Sequence, residues 1–247
     1  MLFRSARLLE ASGISPRWRL RHAPASALAS VSPPETGVEA PLALSAAPAA
    51  GLDWDELQQG VADCRQCVLC EQRQQAVLGV GDRHADWLFI GEGPGAEEDA
   101  QGEPFVGQAG KLLDAMLAAI DLKRGADVYI ANAVKCRPPG NRTPEPAEMA
   151  ACRPWLARQI ELIAPKLIVL LGRAAVHSVL GEEGSLASLR GRRHEYRANG
   201  RVIPVLVTYH PAYLLRNLPD KAKAWEDLCA ARRLMRAAKD APEMSEK

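Results

Sequence analysis

Four short, almost uninterrupted apolar runs constrain the fold of this chain more than any other feature: Trp87 to Ile90, Val128 to Ala131, Leu167 to Leu171 and Val202 to Val207. None has the polar alternation of a strand with one wet face, so each reads as a strand buried on both sides. Helical patterns fill the gaps. Ala109 to Ile120 carries apolar residues at Leu112, Leu113, Met116, Leu117 and Ile120. Pro146 to Ile163 opens among the prolines and acids of a helix N-terminus, and Arg173 to Leu180 and Asp220 to Ala237 complete the series. One more amphipathic segment, Leu52 to Cys64, precedes the first strand. Alternation of this kind, with short connections, predicts an α/β chain: a doubly wound, mainly parallel four-stranded sheet with helices on both faces, in three α/β/α layers.

Ligands in doubly wound folds collect at the carboxyl ends of the strands. That rule puts Gly91 to Phe105, Asn132 and His210 on one rim, because each closely follows an apolar run. The stretch GEGPGAEEDAQGEPFVGQAG, Gly91 to Gly110, crowds glycines and carboxylates around a single Pro-Phe pair. Glycines after a strand let the backbone approach a ligand closely. The carboxylates argue against a simple phosphate cradle, and the spacing and missing downstream acid argue against a dinucleotide fingerprint.

The cysteines form a second constellation. CRQCVLC spaces Cys64, Cys67 and Cys70 two residues apart, and Cys136 and Cys152 flank RPPGNRTPEPAEMAA. Thiolates from one turn and a second pair from a distant loop can close a four-ligand shell around zinc or an iron-sulfur cluster, and spacing does not decide between them. Cys70 and Cys229 read as small core residues.

Residues 1 to 51 read as a flexible N-terminal extension, an arginine-rich start that mimics a transit peptide followed by an Ala/Pro-rich linker. Residues 52 to 240 are expected to form the folded domain and 241 to 247 a polar tail. No apolar run reaches the roughly 18 residues of a membrane span, and no secretory signal is visible, so a cytoplasmic protein without membrane attachment is expected. The net charge of +1 neither points to nor excludes a nucleic-acid partner. Its distribution is more telling: Leu186 to Arg216 is rich in arginine, and Lys135, Arg137 and Arg142 bracket the cysteine loop. Such a patch suits phosphates.

Three motifs in order, GEGPGAEEDAQGEPFVGQAG, NAVKCRPPGNRTP and TYHPAYLLRN, with four cysteines in register, resemble the family 4 uracil-DNA glycosylases, bacterial and archaeal repair enzymes that carry a [4Fe-4S] cluster. The resemblance runs from about Leu57 to near Arg236. It implies a uracil-DNA glycosylase-like fold and a monomeric, bacterial, monofunctional hydrolase acting on uracil-containing DNA. It also implies cluster ligands at Cys64, Cys67, Cys136 and Cys152, a uracil-stacking face at Phe105, a base reader at Asn132, a late-motif histidine at His210 and an acid at Glu92. Gly91 and Gly93 would lie beside the base.

The residue types suit that chemistry. Cleaving an N-glycosidic bond separates a sugar of oxocarbenium character from an anionic uracil, and both halves need stabilising in the transition state. His210 can donate to uracil O2 as charge builds. Glu92 can polarise a water or offset the cationic sugar, and Glu98 is expected to share that work or to crowd the C5 position of the base. Asn132 complements N3–H and O4 of uracil and mismatches cytosine. Phe105, set by Pro104 in a glycine-flanked loop, offers a stacking platform. A flipped base leaves a hole in the duplex, for which Leu214 is the expected wedge, with Leu215 and Arg216 beside it; Asn141 is a further candidate for a DNA contact. No lysine stands where a Schiff-base nucleophile would, so no lyase step is expected. Two other readings remain open on the sequence: the same scaffold acting on another deaminated base, and a non-catalytic iron-sulfur nucleic-acid-binding module.

Overall fold

The apolar runs demand cover on both sides, and the computed structural model, which describes residues 49–240, supplies it with helices on either face of one sheet. The chain runs α1 (Trp54–Asp63), β1 (Val80–Gly81), β2 (Trp87–Gly91), α2 (Ala96–Gln101), α3 (Gln108–Ala118), β3 (Val128–Asn132), α4 (Pro146–Ile163) and β4 (Leu167–Leu171). It continues through α5 (Arg173–Leu180), α6 (Leu186–Leu189), β5 (His194–Ala198), β6 (Arg201–Thr208), α7 (Pro211–Arg216) and α8 (Lys221–Asp240). The expected tail and nearly all of the expected extension lie outside the described residues. Among the described residues no helix is long and apolar enough to cross a membrane.

The strand order is β1-β3-β2-β4-β6-β5. The four expected runs are its parallel centre, β3-β2-β4-β6. The expectation of a four-stranded sheet is nevertheless corrected: the sheet is mixed and has six strands, with β1 antiparallel to β3 at one edge and β5 antiparallel to β6 at the other. Every residue of β2, β3 and β4 is buried. Successive side chains of a strand point to opposite faces, so Phe89, Val169 and Leu171 pack with Leu113 and Leu117 of α3 and Leu228 and Met235 of α8. Leu88, Ile90, Ile168 and Leu170 pack on the other side with Leu156 and Ile160 of α4 and Val176 of α5.

Local chemistry sets the helix starts. Asp53 caps α1 by accepting from the N–H groups of Asp55 and Glu56, both at 2.9 Å, and Glu56 returns a carboxylate oxygen to the Asp53 N–H at 2.9 Å. Pro146 begins α4 behind Glu145. The short helix α2 falls within a segment that reads as loop; Gly95 caps it, and Gly102, at φ 77, ends it in the left-handed region.

Candidate active site

Parallel pairing sets the rim. Gly91 and Asn132 are register partners at the ends of β2 and β3, and Leu171 and Thr208 are partners at the ends of β4 and β6. Above these ends lies a cleft of about 1270 Å³ lined by Glu92, Gly93, Glu98, Phe105, Asn132, Asn141, His210 and Arg216. The structure therefore brings most of the expected site residues to one place.

At the floor, Asn132 is 2% exposed, and its Oδ1 has no hydrogen-bond partner among the described residues. A buried polar atom left so is costly unless something else pairs with it. Gly91 is buried directly behind: a Cβ there would come within 2.5 Å of both Asn132 Oδ1 and the Phe105 ring. Only glycine lets the amide and the aromatic ring keep this spacing. The Phe105 ring also faces the His210 ring, with centroids 5.4 Å apart and planes at 30°.

His210 caps α7, its Nδ1 accepting from the Ala212 N–H at 3.1 Å. With the Nδ1 lone pair engaged, the neutral ring carries its proton on Nε2 and can donate from there. Burial, helped by the charge of Arg216 and opposed by Glu98, lowers its pKa to about 4. His210 is thus a neutral donor at ordinary pH. Burial pushes the Glu92 carboxyl above its usual range, while a hydrogen bond with Thr143 and the charge of Arg173 pull it down.

Three expectations need correction. Glu98 lines the cleft, but Oε2 accepts from the Gly95 N–H at 3.0 Å and Oε1 from the N–H groups of Val106 and Gly107 at 3.0 and 3.2 Å. Its carboxylate holds the Phe105 loop through both oxygens. Leu214 is 1% exposed and packs in the same core cluster as Leu113 and Leu117 of α3, so it cannot serve as a wedge; the exposed apolar side chain of α7 is Leu215, at 42%. Arg190, counted in the basic patch, turns inward: Nε and Nη2 meet Asp227 at 2.7 and 2.9 Å, and its guanidinium lies 4.7 Å from the Tyr209 ring centroid. Arg142 likewise forks onto Glu148 at 2.8 and 2.6 Å. Asn141 Oδ1 accepts from Arg137 Nε at 2.7 Å, which leaves its amide N–H groups for other partners.

Sequence reasoning missed Arg173 beside Glu92. It comes two residues after the Leu167 to Leu171 run, so the strand-end rule contained the signal. Tyr209 and Tyr213, stacked at 5.1 Å and 11°, also line the cleft and were not singled out.

A separate small cavity is lined by Cys64, Cys67, Cys136 and Cys152, with Cys70, Arg73, Lys135 and Trp155. Arg73 Nη1 donates to Cys136 Sγ at 2.9 Å, and the Lys135 N–H to Cys152 Sγ at 3.3 Å. Burial pushes the Cys152 thiol up to about 12, a direction that a bound cation reverses. Among the described residues no three His, Cys, Asp or Glu side chains converge closely enough to hold a single metal ion. A lone zinc would draw four sulfurs to about 2.3 Å from one point. Thiols spread around a cavity, with two cationic side chains beside them, fit a larger thiolate-held group better. Cys70 is no ordinary core residue, since it shares this wall.

The model of the uracil DNA glycosylase superfamily matches residues 78–229. The chain is 44% identical over 165 residues to a type-4 uracil-DNA glycosylase of Archaeoglobus fulgidus, covering 65% of this chain and 82% of the relative. It is 46% identical over 162 residues to that of Thermotoga maritima, again covering 65% and 82%. It is 43% identical over 177 residues to that of Sulfurisphaera tokodaii, covering 70% and 80%.

Proposed function

The chain belongs to the uracil DNA glycosylase superfamily, among its type-4 members, and from that premise we propose how its strand-end cleft removes uracil from DNA. The enzyme hydrolyses the N-glycosidic bond of a flipped uracil and leaves an abasic site. The observation that carries the assignment of the site is Asn132 Oδ1, buried, unpartnered and next to the Phe105 ring. Uracil N3–H supplies the missing donor, the amide N–H₂ meets O4, and Phe105 covers the face of the base. Cytosine presents an acceptor at N3 and a donor at its exocyclic amine, so it leaves the same buried amide mismatched.

As the bond to the sugar lengthens, negative charge grows on the base. The His210 Nε2–H donates to O2, and because the ring is already neutral the donor is in place without a prior proton loss. A preorganised donor of this kind is worth roughly 3 kcal/mol. Glu92, as carboxylate, faces the cationic sugar and orients the attacking water, and Arg173 helps keep it ionised. Leu215 fills the space the base leaves in the duplex. Arg216, Asn141 and Arg137 meet the backbone. Cys64, Cys67, Cys136 and Cys152 would hold a [4Fe-4S] cluster, which would supply a covalent tie between the turn after α1 and the segments flanking the Pro139–Asn141 turn. Hydrolysis transfers no electrons, so that tie is structural. One chain holds every group named, and the enzyme acts as a monomer in the bacterial cytoplasm.

The test is alkali-revealed strand cleavage of labelled DNA with one uracil, comparing wild type with Asn132→Asp and His210→Ala. Both variants should lose at least about a hundredfold in kcat/KM, the scale of a lost oxyanion-type donor or a mismatched buried reader. Full activity of Asn132→Asp would remove the reading of the cleft.

A further inference from the structure

Phe105 sits at φ 57, a region that a bulky residue adopts only when its surroundings hold it there. The holding groups are identifiable. Arg124 donates from Nη1 to the Pro104 carbonyl and from Nη2 to the Phe105 carbonyl, both at 2.8 Å. Asp114 of α3 accepts from Arg124 Nε at 3.1 Å and Nη2 at 2.9 Å, which fixes the plane of the guanidinium. From the other flank, the Glu98 carboxylate takes the N–H groups of Val106 and Gly107. In the first turn of α3, a Cβ on Gly110 would collide with the carbonyl carbon and oxygen of Phe105, so the helix backbone seats directly against that carbonyl.

Arg124 does not line the cleft. It comes from a tight turn beyond α3, closed by a bridge between Lys123 and Ala126. We propose that Arg124, oriented by Asp114, is a positioning residue for uracil recognition: it locks the Phe105 turn so that the ring stays at stacking height opposite the Asn132 amide. The inference rests on the reading of Phe105 as the face against which uracil stacks. A planar fork is required, because one side chain must bridge two consecutive carbonyls and a carboxylate together; a lysine ammonium would reach only part of this set. Arg124 touches no reacting atom, so its effect falls on how well the base is held in ground and transition states alike. Such uniform binding appears in KM and in inhibition by free uracil, with kcat little changed.

The experiment measures the inhibition constant of free uracil, together with kcat and KM on a uracil-containing oligonucleotide, for wild type, Phe105→Ala, Arg124→Gln, Arg124→Lys, Asp114→Asn and the Asp114→Asn/Arg124→Gln double variant. Phe105→Ala should raise the uracil inhibition constant by about 5- to 150-fold, the range of one lost base-aromatic stack. Arg124→Gln should raise it and KM together by about 3- to 10-fold with kcat within about twofold, as loss of positioning rather than of the ring implies. Arg124→Lys should fall between Arg124→Gln and wild type. The double variant should be no worse than Arg124→Gln, because Asp114 acts through Arg124. Wild-type inhibition by uracil in Arg124→Gln, beside a weakened Phe105→Ala, overturns the clamp. Wild-type inhibition in Phe105→Ala overturns the stacking reading beneath it. If Arg124→Gln does not fold, Asp114→Asn decides: the half-exposed Asp114 contacts the turn through Arg124, and unchanged uracil inhibition there also overturns the clamp.

Discussion

Lys135 Nζ donates to the carbonyl oxygen of Asn132 at 2.8 Å, and the backbone N–H of the same lysine donates to Cys152 Sγ at 3.3 Å. Lys135 is 1% exposed, so Asn132, proposed above to read the base, and the thiol cavity are joined through one buried residue. β3 ends at Asn132, and the cysteine segment begins four residues later.

Lys135→Met should separate these parts. It leaves the Asn132 carbonyl without its donor in a dry site, which costs about 1–3 kcal/mol. The expected result is a lower melting temperature and about tenfold lower kcat/KM for uracil, with the visible absorbance of the proposed cluster retained. Cys136→Ser should instead lose absorbance, stability and activity together. Visible spectra recorded beside melting curves and excision rates distinguish the two patterns.

The pH dependence follows from His210 and Glu92. Burial lowers the His210 pKa to about 4 and raises that of Glu92, so as pH falls the Glu92 carboxylate is the first of the two to take up a proton. On the proposed mechanism activity needs the Glu92 carboxylate, so kcat/KM should fall as pH drops through a midpoint above the ordinary glutamate value of 4.5. Glu92→Gln should flatten that limb at a reduced level. Stability responds to His210 in its own window. The folded value lies below the ordinary 6.5, so between pH 6.5 and about 4 the unfolded chain binds a proton that the fold refuses, and stability declines as pH falls. Denaturation of His210→Ala across this window should show a shallower decline.

The centre of the fold is legible in the sequence because burial on both faces writes strands as unbroken apolar runs. The edges are not. β1 has two residues, and β5 alternates buried His194 and intermediate Tyr196 with exposed Glu195 and Arg197, so neither gives such a run. α2 is hidden because its cap is Gly95 and not a side-chain acceptor. The rim of the site follows from the strand-end rule, which names Glu92, Asn132 and His210. What that rule leaves open is which contacts each side chain makes, and that depends on distant partners: the Glu98 carboxylate is engaged by backbone N–H groups eight and nine residues on, and Arg190 is drawn inward by Asp227 across 37 residues. The choice between Leu214 and Leu215 depends on which side of α7 meets α3, a packing fact that a six-residue helix does not encode by period.

Leu214 and Leu215 should accordingly behave in opposite ways. Leu214→Ala removes a core side chain and should cost 2–5 kcal/mol in chemical denaturation, on the scale of about the usual buried leucine truncation. Leu215→Ala should leave stability nearly unchanged. Its effect should fall on duplex substrate, where a flipped base leaves a hole, and should spare single-stranded DNA. Excision rates on paired and single-stranded uracil decide this. Equal effects on both would remove Leu215 from the role of wedge.

Asp227 supports the histidine segment from beneath. Its Oδ2 accepts from Thr208 Oγ1 at 2.6 Å and from Arg190 Nε at 2.7 Å, and Oδ1 accepts from Arg190 Nη2 at 2.9 Å. Arg190 in turn stacks on Tyr209, the residue before His210. Asp227 is 5% exposed and Thr208 fully buried, so removing the carboxylate leaves a buried hydroxyl without its acceptor and a partly exposed guanidinium without its counter-charge. Breaking a fully buried pair from one side typically costs about 3–5 kcal/mol; Arg190 is partly exposed and keeps its bond to the Lys223 carbonyl, so Asp227→Ala should lower stability by less than that. Replacing both partners, Asp227→Ala with Arg190→Met, should recover part of the loss, since no charge is left buried alone. His210 should not recover in parallel, because the Tyr209 ring has still lost its cation, and excision should remain below wild type in the double variant. Denaturation curves and uracil excision measured on wild type and both variants separate the two effects, and a double variant restored in activity as fully as in stability would show that the network supports the fold without positioning His210.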